Sequence, residues 1–146
     1  MKTLDPSTLE AQLVLVKVLS AENRFVESEK IARVATEKIS RVFGPQHPMA
    51  LDIELALAGN LLLQRQFSEA EFLGRKIISL AEKYSRSNGL FISSMTLVAR
   101  IHLAQGRIDE GRLMFEKAKE ESLTNWGEEH PITKAIMVNI HVTNVP

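Results

Sequence analysis

No cysteine occurs among the 146 residues. Disulfides, thiolate metal ligation and cysteine nucleophiles are therefore excluded. Aromatic residues are scarce, at 5%, so a core has to be built from Leu, Ile, Val and Ala, which suits helix packed on helix better than a sandwich of sheets. Neither sign of charge is in excess, because 18 Lys and Arg balance 18 Asp and Glu. No basic surplus remains to neutralise phosphates, so nucleic acid is not expected as the main partner. No stretch approaches the ~20 apolar residues of a membrane span. The opening Met1-Lys2-Thr3-Leu4-Asp5-Pro6 has no apolar run of the signal-peptide kind. The expectation is a protein without membrane association, in the cytoplasm. Catalytic signatures are missing too: there is no glycine-rich phosphate loop, no G-x-S-x-G elbow and no H-E-x-x-H. A non-enzyme without metal or cofactor is expected.

The sequence does contain internal repeats. Arg24-Phe25-Val26-Glu27-Ser28-Glu29 aligns with Gln66-Phe67-Ser68-Glu69-Ala70-Glu71, and both align with Arg107-Ile108-Asp109-Glu110-Gly111-Arg112, at offsets of 42 and 41 residues. A second motif gives the same register independently. Gly44-Pro45-Gln46-His47-Pro48 matches Gly127-Glu128-Glu129-His130-Pro131, 83 residues on, while the middle copy has degenerated to Arg86-Ser87-Asn88-Gly89-Leu90. Pro6 lies 42 residues before Pro48 and extends the register forward.

Between these marks apolar residues recur at helical spacing. Leu9, Leu13, Val16 and Leu19 do so, as do Leu51, Leu55, Ala58 and Leu62, and Ile31, Ala35 and Ile39. The prolines fall just inside helix starts, where a missing N–H is harmless. Helices are predicted over about 6–21, 25–42, 48–64, 67–85, 90–105, 108–124 and 131–144. The reading is all-α: about seven helices in a superhelical array of antiparallel hairpins. It forms one domain over 1–146, with repeats at about 6–47, 48–89 and 90–130 and a half repeat at 131–146. One hairpin cannot bury both of its apolar faces, and stacking on the next repeat resolves this. Small residues predict the closest crossings: Val16, Ala58 and Ala99 in first helices, and Ser28, Ala70 and Gly111 in second helices.

The stretch from Leu97 to Gly111, read as Leu-x-Ala, then Gln105-Gly106-Arg107, then Glu110-Gly111, resembles the tetratricopeptide repeat (TPR) in its longer kinesin-light-chain form. The Gly-x-x-His-Pro turn is similar to that family's, and Asn139 falls where the family often has a groove asparagine. Val14, Ala56 and Leu97 occupy that position in the other repeats. The resemblance implies a non-catalytic scaffold that binds a protein or peptide on a concave surface lined by first helices. On the family register the inward positions are Leu13, Lys17, Leu55, Gly59, Leu62, Thr96, Arg100, Val138, Asn139 and Val142. Lys17 and Arg100 could clamp an acidic peptide or a C-terminal carboxylate. Gly59 stands out because glycine inside a helix costs ~1 kcal/mol relative to alanine. It signals either a ligand backbone coming close, or tight packing or drift.

The histidines read as structural: His47 and His130 in equivalent turns, His102 and His141 on helices. Glu27, Glu29, Glu69 and Glu71 open second helices, where carboxylates favour the helix dipole. The last helix is apolar nearly all round, through Ile132, Ile136, Met137, Val138, Ile140, Val142 and Val145. It could cap the array, continue into a longer repeat protein, or pair with another copy. The alternative function is thus an oligomerising segment of a larger signalling protein, a homodimer formed through Ile136, Ile140 and Val142.

Overall fold

The computed structural model describes residues 5–84 and 89–144. These residues form seven helices: α1 Pro6–Ala21, α2 Phe25–Phe43, α3 Pro48–Leu63, α4 Phe67–Tyr84, α5 Leu90–Ala104, α6 Ile108–Trp126 and α7 Pro131–Asn144. Each lies within two residues of its expected span. The expected end of α4 at residue 85, the junction residues 86–88 and Val145 lie outside the described residues.

Each hairpin turns by one device, repeated three times. Asn23, Arg65 and Gly106 occupy equivalent positions and all take the left-handed conformation, at φ 63°, 62° and 79°. The following amides reach back: Arg24 N–H to Leu19 O, Gln66 N–H to Leu61 O and Arg107 N–H to His102 O, each at 2.8 Å. This is the Schellman closure, which satisfies carbonyls that a helix end leaves bare. Two of the three positions carry residues that tolerate a positive φ; Arg65 does not share that tolerance.

The Gly-x-x-His-Pro junction also has a physical account. Gly44 and Gly127 leave the preceding helix at φ 92° and 84°. The next helix then opens on histidine and proline. His47 Nδ1 accepts the Met49 N–H, and His130 Nδ1 accepts the Ile132 N–H, both at 3.2 Å. Each imidazole stands in for the usual Ser or Asp cap. Each ring also stacks on the aromatic residue before the glycine, Phe43 at 4.8 Å and Trp126 at 4.5 Å between centroids.

Within hairpins the small-residue crossings occur as expected. Val16, Ala58, Ala99, Ser28, Ala70 and Gly111 are all buried. The Ser28 hydroxyl donates to Val16 O at 2.7 Å. A methyl built on Gly111 would meet Leu103 Cδ2 at 2.8 Å and Ala99 O at 3.0 Å, so nothing larger fits without a shift.

Each helix packs on its neighbours in sequence, and the first helices also touch, α1 on α3 and α3 on α5. The second helices α2, α4 and α6 make no comparable contact with one another. The row that closes up lies on the inside of the bend, so the first helices form the inner face. Two apolar clusters fill the interior, one centred on α1–α4 and the other on α3–α7, with Leu55 packed against both. No described helix is long and apolar enough to cross a membrane.

Candidate functional site

The inner face is built from equivalent positions on α1, α3, α5 and α7. One row runs Lys17, Gly59, Arg100, Val142. Lys17, Arg100 and Val142 are exposed, while Gly59 is half-buried. A methyl built on Gly59 would meet nothing within 4 Å. Packing therefore does not require glycine there, and of the two explanations left open by the sequence, tight packing is removed. The parallel row runs Leu13, Leu55, Thr96, Val138. Leu13 and Leu55 are half-buried against the first cluster, and Val138 is exposed. The Thr96 hydroxyl donates to Ser93 O at 2.8 Å, and Asn139 Nδ2 donates to Ala135 O at 3.0 Å. Both polar groups are thus engaged by their own helices, although Asn139 is exposed.

Three expected surface residues need correction. Leu62 retains only 8% of its exposure and belongs to the first core cluster. Ile136 and Ile140 keep 2% and 8% and belong to the second. Both isoleucines face α6, because α7 has to bury one side against the preceding hairpin. They cannot form a dimer surface. Val142 and Val138 are the exposed apolar residues of α7, at 63% and 62%.

The structure adds a carboxylate that the sequence reading passed over. Asp52 is half-buried on α3. Burial raises its carboxyl above the ordinary aspartate value, and the Lys17 ammonium opposes that rise. Lys17 is therefore partly committed to Asp52, and Arg100 is the less committed cation on the inner face. The missed signal was the register itself: Asp52 is equivalent to Glu10, so an acid recurs at one position ahead of the lysine row in the first two repeats.

The carboxylates opening second helices do more than meet the helix dipole. Arg24 grips Glu27 through two nitrogens at 3.0 and 2.6 Å, and Arg107 grips Glu110 in the same way at 3.2 and 2.6 Å. Arg33 crosses from α2 to Glu69 on α4 at 2.7 Å. His102 is buried beside this polar layer. Arg75 Nη2 lies 3.2 Å from its Nε2. A guanidinium only donates, so Nε2 is the acceptor and Nδ1 carries the proton. That Nδ1 is buried without a hydrogen-bond partner, with Glu110 at 4.0 Å. Burial, and next the Arg107 charge, push the imidazole below its ordinary value.

On the outer side the gaps between second helices leave two equivalent grooves. One, of about 250 Å³, lies between α2 and α4 over Glu54 and Leu57. The other, of about 390 Å³, lies between α4 and α6 over Phe91 and Met95. Lys76 Nζ sits across both oxygens of buried Glu54, at 3.0 and 2.9 Å. Among the described residues no group of three or more His, Asp or Glu could hold a metal ion.

No protein-family model matches the chain, and no curated protein sequence matches it significantly. Solved structures do. A crystal structure of TPR-like, nearly identical repeats from a Podosopora anserina protein named for kinesin light chain superposes with a TM-score of 0.83 at 19% identity, over 97% of this chain and 67% of that one. A crystal structure of a substituted form of the same repeats gives 0.83 at 18%, over 97% and 68%. The chain therefore has the TPR-like helical-repeat fold, which generally serves as a protein-binding scaffold and is typically non-catalytic.

Proposed function

We propose that this chain is a non-catalytic, cytoplasmic scaffold that binds a protein or peptide segment along the inner face of its first helices. The observation that carries this reading is Gly59. It accepts a helix-weakening residue where no neighbour requires one, midway between Lys17 and Arg100. A backbone lying across α3 there could approach the helix closely. Leu13 and Leu55 would give it apolar footing, Arg100 would hold a carboxylate, and the Lys17–Asp52 pair would read a polar neighbour. The test compares partners recovered by wild type with those recovered by Lys17→Glu with Arg100→Glu. The double variant is expected to lose partner binding while melting close to the wild-type temperature. Retention of the same partners would refute the inner-face reading.

A second reading, self-association through α7, is favoured by the exposure of Val138 and Val142 and of Ile132 at 39%. On that reading Val138→Lys with Val142→Lys would convert a concentration-dependent dimer to monomer in sedimentation.

A further inference from the structure

We infer that the outer side of α1 is a vacant stacking surface that docks an amphipathic helix of a partner protein, in the place a preceding second helix would occupy. The argument rests on equivalent positions. On α1, Thr8, Ala11, Leu15 and Val18 form a stripe at helical spacing, and all four are exposed. Leu15 and Val18 stand out at 44% and 46%. At the position of Leu15, Leu57, Val98 and Ile140 are buried; at that of Val18, Asn60 and Ile101 are buried. Ala50, Phe91 and Thr133 are buried at the position of Thr8, and Ile53, Ser94 and Ile136 at that of Ala11.

The preceding hairpin is what covers this stripe. On α7, which packs on α6 before it, the stripe is buried although no described helix follows. Direct contacts agree. A methyl on Gly74 of α4 would strike Val98 Cγ2 at 2.6 Å, so α4 meets α5 at the position of Leu15. The hydroxyls of Ser122 on α6 and Thr133 on α7 are hydrogen-bonded at the position of Thr8. Asn60 Nδ2 donates to the Phe25 carbonyl of α2 at the position of Val18.

The α1 stripe carries no charge, although Glu10, Lys17 and Glu22 lie elsewhere on or beside that helix. An end face adapted to water is polar in repeat arrays. The other end of this array shows such adaptation. Where Leu9, Leu51 and Ile92 are buried by their own second helix, α7 exposes Lys134, and where Val16, Ala58 and Ala99 are buried, it exposes His141. The first helix thus keeps the chemistry of a covered face while the last has lost it on its outward side. The occupant has to be a helix with an uncharged, partly small-residue face like those of α2 and α4. A folded second copy offers none, because its α2, α4 and α6 faces of that kind are already covered by α3, α5 and α7.

The test uses a labelled synthetic peptide of Phe25–Phe43, the face with which this array covers α3, in fluorescence anisotropy against the whole chain. Saturable binding is expected, weakened at least tenfold by Leu15→Gln with Val18→Gln. Both side chains are exposed, so this variant should retain the wild-type melting temperature. Arg100→Glu on the inner face should leave peptide affinity within twofold, which separates this surface from the proposed groove. No saturable binding, or equal binding by the glutamine variant, would overturn the inference. So would a wild-type dimer in sedimentation that the glutamine variant abolishes, because a second copy would then occupy the stripe.

Discussion

Two small residues on neighbouring helices serve opposite ends. Ala70 lies fully buried at the crossing of α3 and α4, the position that Ser28 and Gly111 hold in the other hairpins. Enlarging it to Leu should overpack the crossing and cost ~1–3 kcal/mol. Gly59 faces open space, so Gly59→Ala should instead stabilise α3 by ~1 kcal/mol while reducing partner affinity on the inner face. Denaturant melts of the two variants check both signs. An Ala70→Leu midpoint equal to wild type would refute the close crossing. A destabilised Gly59→Ala would mean that the backbone there is constrained in some other way. The sequence showed that both residues were small. Only the neighbours show which one has to be.

The histidines divide in the same manner. His47 and His130 are caps, because a bare Nδ1 faces the amide two residues on. Replacing His47 with Ala removes that acceptor and should cost ~1 kcal/mol, as for other cap losses. His102 is different. It takes the position of Leu19 and Leu61, and Glu71, Arg75, Arg107 and Glu110 surround it. Its folded value is depressed by burial and by Arg107, so the unfolded chain binds the proton more readily. Stability from neutral His102 is fully present above the unfolded value of about 6.5 and is lost as pH falls from there towards the depressed folded value. His102→Leu, which copies the other repeats, should flatten the part of the melting-temperature drop that develops below about pH 6.5. Parallel pH profiles of wild type and variant would reject this if they ran together.

At the scale of the element, register made the helices legible. Seven spans follow from apolar spacing, the proline starts and two motifs that agree on one offset. The turn residues were legible in part: Asn23 and Gly106 announce a positive φ, but Arg65 adopts the same conformation without announcing it. A closure that satisfies the bare carbonyls outweighs the preference of one side chain. The last helix shows the reverse limit. Its apolar residues circle it in sequence, and nothing local says which arc meets α6. Packing assigned Ile136 and Ile140 to the core and left Val138 and Val142 outside.

For the whole molecule, the two ends of the array differ in chemistry, and that difference sets what each can bind. The inner face and the α1 edge are separate surfaces, so a charge reversal on one and a polar substitution on the other should have independent effects. Combining Arg100→Glu with Leu15→Gln and Val18→Gln is expected to give additive losses for two different partners, with additive free energies in binding titrations.

The sequence alone determined the helices, their pairing and the repeat length, because periodicity and turn chemistry are local properties repeated along the chain. It also placed Lys17, Gly59 and Arg100 in one row, since equivalent positions in a repeat array share a face. Tertiary structure alone decided which of the apolar and small residues remain accessible, and that Asp52 shares the inner face with Lys17. Exposure depends on which neighbouring helix covers a side chain. At Leu62, Ile136 and Ile140 a neighbour is present; at Leu15 and Val18 it is missing.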